Sequence, residues 1–300
     1  MDSDKQSLCI DILINGHVQA YVDFFYLTHR PESVHAPEDQ VNDEMNIPAS
    51  KLPHVKTMLS EAETARRRGD TAAVYAGYQQ LAELFAELTD QRTAIYFWEK
   101  CLEITQLTSD ITGEIHATLA LGLAHEKSGD IAAAVRYYEK LLRLAQGAED
   151  AESEKKANQR LVVAFQAMAT EKDDSKEAAL ALNYREKCLE ASRACGDVDQ
   201  ESKAQFELGQ AHEKFGDMEH LQKAVYHYEQ HLELSETAED TEAQGAACFA
   251  LAHAEACCSL GVLYNQQGDY VSAVQYLERF FELARSMGDR AMLDKAGALH

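Results

Sequence analysis

Between residues 7 and 30 the apolar positions Leu8, Ile12, Val18, Val22 and Phe25 fall at helical intervals, with further apolar residues between them. That spacing predicts one or two amphipathic helices, broken near Gly16. The pattern then lapses. Pro31, Pro37, Pro48 and Pro53, all four prolines of the chain, lie in a stretch that also holds the acidic run EDQVNDE. This predicts an irregular linker over 31–53. Helical periodicity resumes at about His54 and runs toward the C-terminus.

Within 54–300 five segments align without gaps: Ala94-IYFWEKCLEIT, Ala134-VRYYEKLLRLA, Ala181-LNYREKCLEAS, Ala224-VYHYEQHLELS and Ala273-VQYLERFFELA. Each opens on alanine and places a glutamate five residues on, at Glu99, Glu139, Glu186, Glu229 and Glu278; the starts are 40, 47, 43 and 49 residues apart. Such a period is the signature of a repeat array. A second set of markers keeps the same beat. Aspartates follow the segments at Asp110, Asp150, Asp197, Asp240 and Asp289, with Asp70 one unit upstream. Asp90 and the pairs Gly129-Asp130, Gly216-Asp217 and Gly268-Asp269 precede them. Glycine accepts the left-handed conformation that ends one helix, and aspartate caps the free N–H groups of the next. Each unit is therefore expected to be two antiparallel helices joined by tight turns.

The partner helix of each pair carries Leu121-Gly122, Leu208-Gly209 and Leu260-Gly261, with Leu81-Ala82 and Leu161-Val162 at the equivalent places. Three residues beyond stands a ring at Phe85, His125, Phe165, His212 and Tyr264. This pattern resembles the tetratricopeptide repeat. It implies an all-α solenoid of about five 40-residue helix pairs over 54–300, preceded by an N-terminal helical extension over 1–30. The surplus residues are placed around Met168–Lys176, after Asp217, and within Thr241–Ser259. The first is read as a polar insertion between helices, including Asp173-Asp174 as solvated loop. The last is read as lengthening a helix by about two and a half turns. After Asp289 a further helix begins and the sequence ends, either as a cap or as part of a longer chain.

Composition narrows the function. Fifty-one acidic residues against 28 Lys and Arg give a formal charge of −23. Nucleic acid, anionic membrane and the acidic tails of tubulin would be repelled, so a basic or apolar protein is the expected partner. The chain has no apolar run long enough to span a bilayer and opens on an acidic stretch unlike a signal peptide, from which a soluble intracellular protein is expected. Seven cysteines without framework spacing read as reduced, buried hydrophobes.

Catalytic chemistry is not legible: there is no phosphate loop, nucleophile elbow or ligand cluster. His227 and His231 are four apart but replace Tyr137 and Leu141 of the second unit, so packing is the reading, and no metal or cofactor is expected. Trp98 holds a core position. What remains is surface. On the family pattern the first helices of the units line a groove, offering Lys156, Arg160, Lys203, Phe206, Gln210 and Lys214 as partner-binding candidates. Lys156 and Arg160 match two positions of the carboxylate clamp of chaperone-binding relatives. Gln79, Glu83 and Ala120 stand where that clamp needs lysine and asparagine.

The unit is also similar to spindle-orientation scaffolds named for a Leu-Gly-Asn motif, which would make the chain a cytoplasmic peptide-binding adaptor. Leu123, Gln210 and Val262 stand where the asparagine should be. With its N-terminal helix CIDILINGHVQAYVDFF and its proline-bearing linker, the chain more closely resembles tetratricopeptide proteins of motile cilia and sperm flagella. That resemblance implies a non-catalytic axonemal scaffold needed for flagellar assembly and beating. Axonemal dynein-associated complexes and the intraflagellar transport machinery would be its partners.

Overall fold

A computed structural model describes residues 2–29, 47–215 and 218–263. The linker core, the fifth aligned segment from Ala273 and the end after Asp289 lie outside the described residues, as do the side chains of Cys257, Cys258, Leu260 and Val262. Twelve α-helices and no strand occupy the described residues. They are α1 (Asp2–Ile14), α2 (Val18–Thr28), α3 (Leu52–Arg68), α4 (Thr71–Glu87), α5 (Gln91–Thr108) and α6 (Ile111–Lys127). Then come α7 (Ile131–Gly147), α8 (Ala151–Asp174), α9 (Ala178–Cys195), α10 (Val198–Glu213), α11 (Met218–Thr237) and α12 (Thr241–Leu263). The chain divides into two compact units, Met1–Ser153 and Glu154–His300.

One turn recurs. After α3, α4, α5, α6 and α7 a single residue takes a left-handed conformation, at Gly69 (φ 73°), Thr89 (62°), Ser109 (54°), Gly129 (84°) and Glu149 (55°). The following aspartate donates its N–H to the carbonyl five residues back, as in Asp90 to Phe85 (2.9 Å) and Asp130 to His125 (3.0 Å). Its carboxylate then accepts from the N–H three residues ahead, as in Asp70 from Ala73, Asp110 from Gly113 and Asp130 from Ala133, at 2.9–3.0 Å. One aspartate thus closes one helix and opens the next. Only two of these five sites are glycine. At the others a side chain bears the left-handed conformation, at a cost of about 1–2 kcal/mol each.

Helix α1 is broken from α2 at Gly16 (φ 77°), where the sequence predicted a break. These helices share one core with the first repeats: Ile12, Ala20 and Phe24 pack in the same cluster as Val55, Leu81, Phe85 and Phe97. A buried carboxylate fixes the join. His17 makes no side-chain cap on α2; instead Glu63 of α3 accepts from the Ala20 N–H at 2.9 Å. Arg67 bridges Glu63 and the Gly16 carbonyl at 2.5 Å each. The negative charge therefore sits at the N-terminus of α2, where the helix dipole favours it.

The Leu-Gly pair meets a ring. Gly122 and Gly209 lie under Tyr138 and Tyr228, which stand at the fifth position of the aligned segments; a Cβ on either glycine would fall 2.3 Å and 2.5 Å from the ring. Both tyrosines are fully buried, and each hydroxyl donates to a glutamate four residues past its glycine, Glu126 (2.5 Å) and Glu213 (2.8 Å). Close approach is thus demanded by an interleaved aromatic side chain.

Two expectations are corrected. The array's first helix begins at Leu52, two residues before His54, because Pro53 is tolerated in a first helical turn. The surplus residues around Met168–Lys176 do not form an inter-helix loop: α8 continues through Asp174, and Lys176 (φ 62°) makes the turn. Asp173 is not a solvated loop residue. Its carboxylate takes a bidentate grip from Arg185 of α9, and that pairing holds the lengthened end of α8 in place. The surplus of Thr241–Ser259 does extend a helix, since α12 runs without a break from Thr241 to Leu263.

Candidate protein-interaction surfaces

The first helix of each pair, α4 and α6 in one unit and α8, α10 and α12 in the other, meets the next first helix through polar rungs about one repeat apart. Tyr75 Oη lies 2.9 Å from His116 Nδ1. Gln166 Nε2 donates to Glu207 Oε1 at 2.8 Å, and His253 Nδ1 lies 2.5 Å from Glu213 Oε1. The candidates of the sequence lie on α8 and α10 of the second unit and at the C-cap of α10.

Lys156 and Arg160 are exposed one turn apart on α8, with Val163, 50% exposed, one turn further on. Lys203 and Gln210 are exposed on one stripe of α10, which ends at its capping residue Lys214. Lys214 Nζ lies 3.7 Å from Asp173 Oδ2. The hydrogen bond from Arg185 holds the Asp173 carboxyl below its usual range against the opposing effect of desolvation, and Lys214 adds to the lowering. Phe206 stands apart. It is half-buried at the edge of the stripe, its ring 5.6 Å from that of Tyr228 and 5.0 Å from that of His231. Much of its surface is already spent on the packing of α10 against α11.

The histidines are packing groups as well. His227 lies 2.8 Å from Gln205 Oε1 and stacks on His212 at 5.4 Å; burial, with His212 and Arg193 nearby, brings its pKa down to about 4. His231 Nδ1 lies 2.7 Å from the Ser202 hydroxyl. No three His, Cys, Asp or Glu side chains among the described residues are grouped to hold a metal. Cys9, Cys101, Cys188, Cys195 and Cys248 are buried free thiols. Burial pushes Cys101 up to about 12 and Cys188 and Cys248 up to about 11, so they are poor nucleophiles. No helix among the described residues is long and apolar enough to cross a membrane.

A second surface was not legible in the sequence. In the N-terminal unit a cleft of about 450 Å³ opens between α2, the α3–α4 turn and α5. Val74 and Phe97 form its buried floor, Tyr78 and Tyr96 line it, and Asp23 faces it from α2. One wall of the cleft is α2, held beside the first repeat by the shared apolar core and by the Glu63–Ala20 contact, 43 residues apart in sequence. No local motif signals it.

The tetratricopeptide repeat signature matches residues 117–152, which span most of α6 and all of α7, and residues 254–287. The chain carries tetratricopeptide repeats over these residues. Among curated proteins these repeats are similar to tetratricopeptide repeat protein 29 of Trypanosoma brucei brucei, 25% identical over 95% of this chain and 48% of that protein. They are also similar to the proteins of the same name from Rattus norvegicus (28% identical) and Homo sapiens (26%), each over 49% of this chain and 32% of the relative. The chain spans about half or less of the length of these relatives. Among solved structures, the apo form of RapI aligns with a TM-score of 0.43 and 14% identity over 98% of this chain and 79% of that one. The repeat fold and the relatives' names support a protein-interaction scaffold, and no relative named here carries the name of an enzyme.

Proposed function

We propose that this chain is a non-catalytic scaffold of the motile cilium or flagellum, built into the axoneme with dynein-associated complexes and required for assembly and beating. The observation that supports this reading most is the extent of the similarity to tetratricopeptide repeat protein 29. It covers 287 residues, 95% of the chain, in the trypanosome relative, which is more than the repeat array over 54–300 spans. The charge balance fits the role. With a formal charge of −23 the chain repels acidic tubulin tails, so it joins the axoneme through other proteins. Intraflagellar transport machinery is the second partner class, as the route by which such a component reaches its place. On this reading the exposed stripe of Lys156, Arg160, Lys203, Gln210 and Lys214 contacts partners through rim charges of small individual worth. Phe206 contributes only its exposed edge.

Detergent fractionation of motile cilia bearing a tagged chain tests the proposal. The tagged chain stays with washed axonemes, and its removal impairs beating. Complete release into the detergent-soluble fraction overturns the axonemal reading and favours a cytoplasmic adaptor. Crosslinking mass spectrometry on the same axonemes then names the neighbours.

A further inference from the structure

We propose that the cleft between α2, α4 and α5 binds a segment of a partner protein that presents an apolar side chain and, beside it, a lysine or arginine that pairs with Asp23. This surface is separate from the first-helix stripe, and the proposal does not rest on the ciliary reading.

The cleft has the size of sites that enclose a few side chains, too small for a folded domain. Its floor is apolar and its walls are tyrosine rings, surfaces that take aliphatic groups and the stems and heads of cationic side chains alike. Within it the charges are unequally committed. Lys100 is held by Glu103 at 2.9 Å and lies over one face of Tyr96 at 5.7 Å. Arg66 is exposed on the rim. Asp23 is half-buried and accepts one hydrogen bond, from Gln19 at 2.9 Å. No ion pair joins Asp23 to a lysine, arginine or histidine among the described residues. Desolvation raises its pKa even though Arg66 and Lys100 pull it down from a distance.

A partly desolvated carboxylate without a contacting cation is half of an ion pair. An incoming ammonium or guanidinium would complete it, whereas an incoming carboxylate would meet Asp23 at close range and Arg66 only at the solvent edge. The net acidity of the chain favours the approach of the same class of segment.

The test uses the whole chain and immobilised amphipathic peptides of about twelve residues in three matched forms. One has a leucine face flanked by lysine, one a leucine face flanked by glutamate, and one a serine face flanked by lysine. At physiological salt the wild type is expected to retain the leucine–lysine form at least about tenfold more tightly than either of the others. Asp23→Asn keeps the Gln19 contact, changes the net charge by one, and should bring the leucine–lysine form down to the level of the leucine–glutamate form. Tyr96→Ser, at an exposed position that leaves the core intact, should weaken the leucine–lysine form with wild-type helicity preserved. Equal selectivity in wild type and Asp23→Asn would assign the preference to long-range charge and overturn the proposal. So would a preference for the glutamate form, or retention of none of the three by the wild type.

Discussion

Adding one methyl group at Gly209 should destabilise the C-terminal unit, although alanine is the better helix former. Propensity alone favours Gly209→Ala by about 1 kcal/mol at a helix-interior position. Sterics oppose it. The new Cβ would lie 2.5 Å from Tyr228 Cε1 and 2.7 Å from Cδ1, so the ring must retreat by almost an ångström to reach ordinary contact. It has nowhere to go: Tyr228 is fully buried, flanked by Phe206, and tied through its hydroxyl to Glu213 at 2.8 Å. Overpacking of this kind costs about 1–3 kcal/mol. Stretching a hydrogen bond to a carboxylate adds about 1–2 kcal/mol. The net expectation is a loss of about 2 kcal/mol, a fall of several degrees in Tm for a unit of this size.

Urea and thermal unfolding followed by circular dichroism measure the loss, and a cycle with Tyr228→Leu isolates its cause. With the ring gone the alanine fits, so the double variant should be more stable than the sum of the single losses by more than about 1 kcal/mol. The repeats contain versions of this experiment: Ala82 occupies the glycine position in the unit that carries Trp98, and Val162 does so in the unit that replaces the ring with Arg185. A Gly209→Ala variant as stable as wild type, or strict additivity in the cycle, would refute the reasoning.

Glu63→Ala removes a buried carboxylate from the Ala20 N–H and Arg67, and should cost about 3 kcal/mol while releasing α2, seen as faster amide exchange in residues 18–28. Asp110→Ala strips the cap on Gly113 N–H and should cost about 1 kcal/mol by urea unfolding. Acid should selectively weaken the C-terminal unit through His227. Its folded pKa of about 4 lies below the ordinary 6.5, so the unfolded chain takes the proton first. The stability it contributes is complete above pH 6.5 and is lost as pH falls toward 4, by about 1–2 kcal/mol after discounting for its partial exposure. His227→Tyr, which places the residue found at Tyr137 of the second unit, should flatten that part of the urea midpoint–pH curve.

The periodic elements were written into the sequence because each depends on residues close together in the chain. The aspartate caps, the break at Gly16 and the second helices that carry the aligned alanine segments needed only neighbours close in the chain to declare themselves. The length of α8 was different. TEKDDSKE is polar enough to read as loop, yet α8 runs through its first five residues to Asp174, where Asp173 docks on Arg185 twelve residues away. The glycine positions announced a close approach, but that the intruder is a tyrosine ring with its hydroxyl on Glu126 or Glu213 required the two helices to be set face to face. Phe206 reads from α10 alone as a groove candidate, and its packing against Tyr228 and His231 appears only once α11 is set beside it.

The cleft beside Asp23 is the extreme case. It takes its walls from α2, α3, α4 and α5 across residues 19–108, and α2 stands there through apolar packing of Ala20 and Phe24 and through one glutamate 43 positions away from Ala20. By itself the sequence determined the repeat, its turns and its acidic character, since local hydrogen bonding and composition suffice for those. Only the tertiary structure decided which surfaces stay open, because exposure belongs to the packing of several helices and to no single segment of chain.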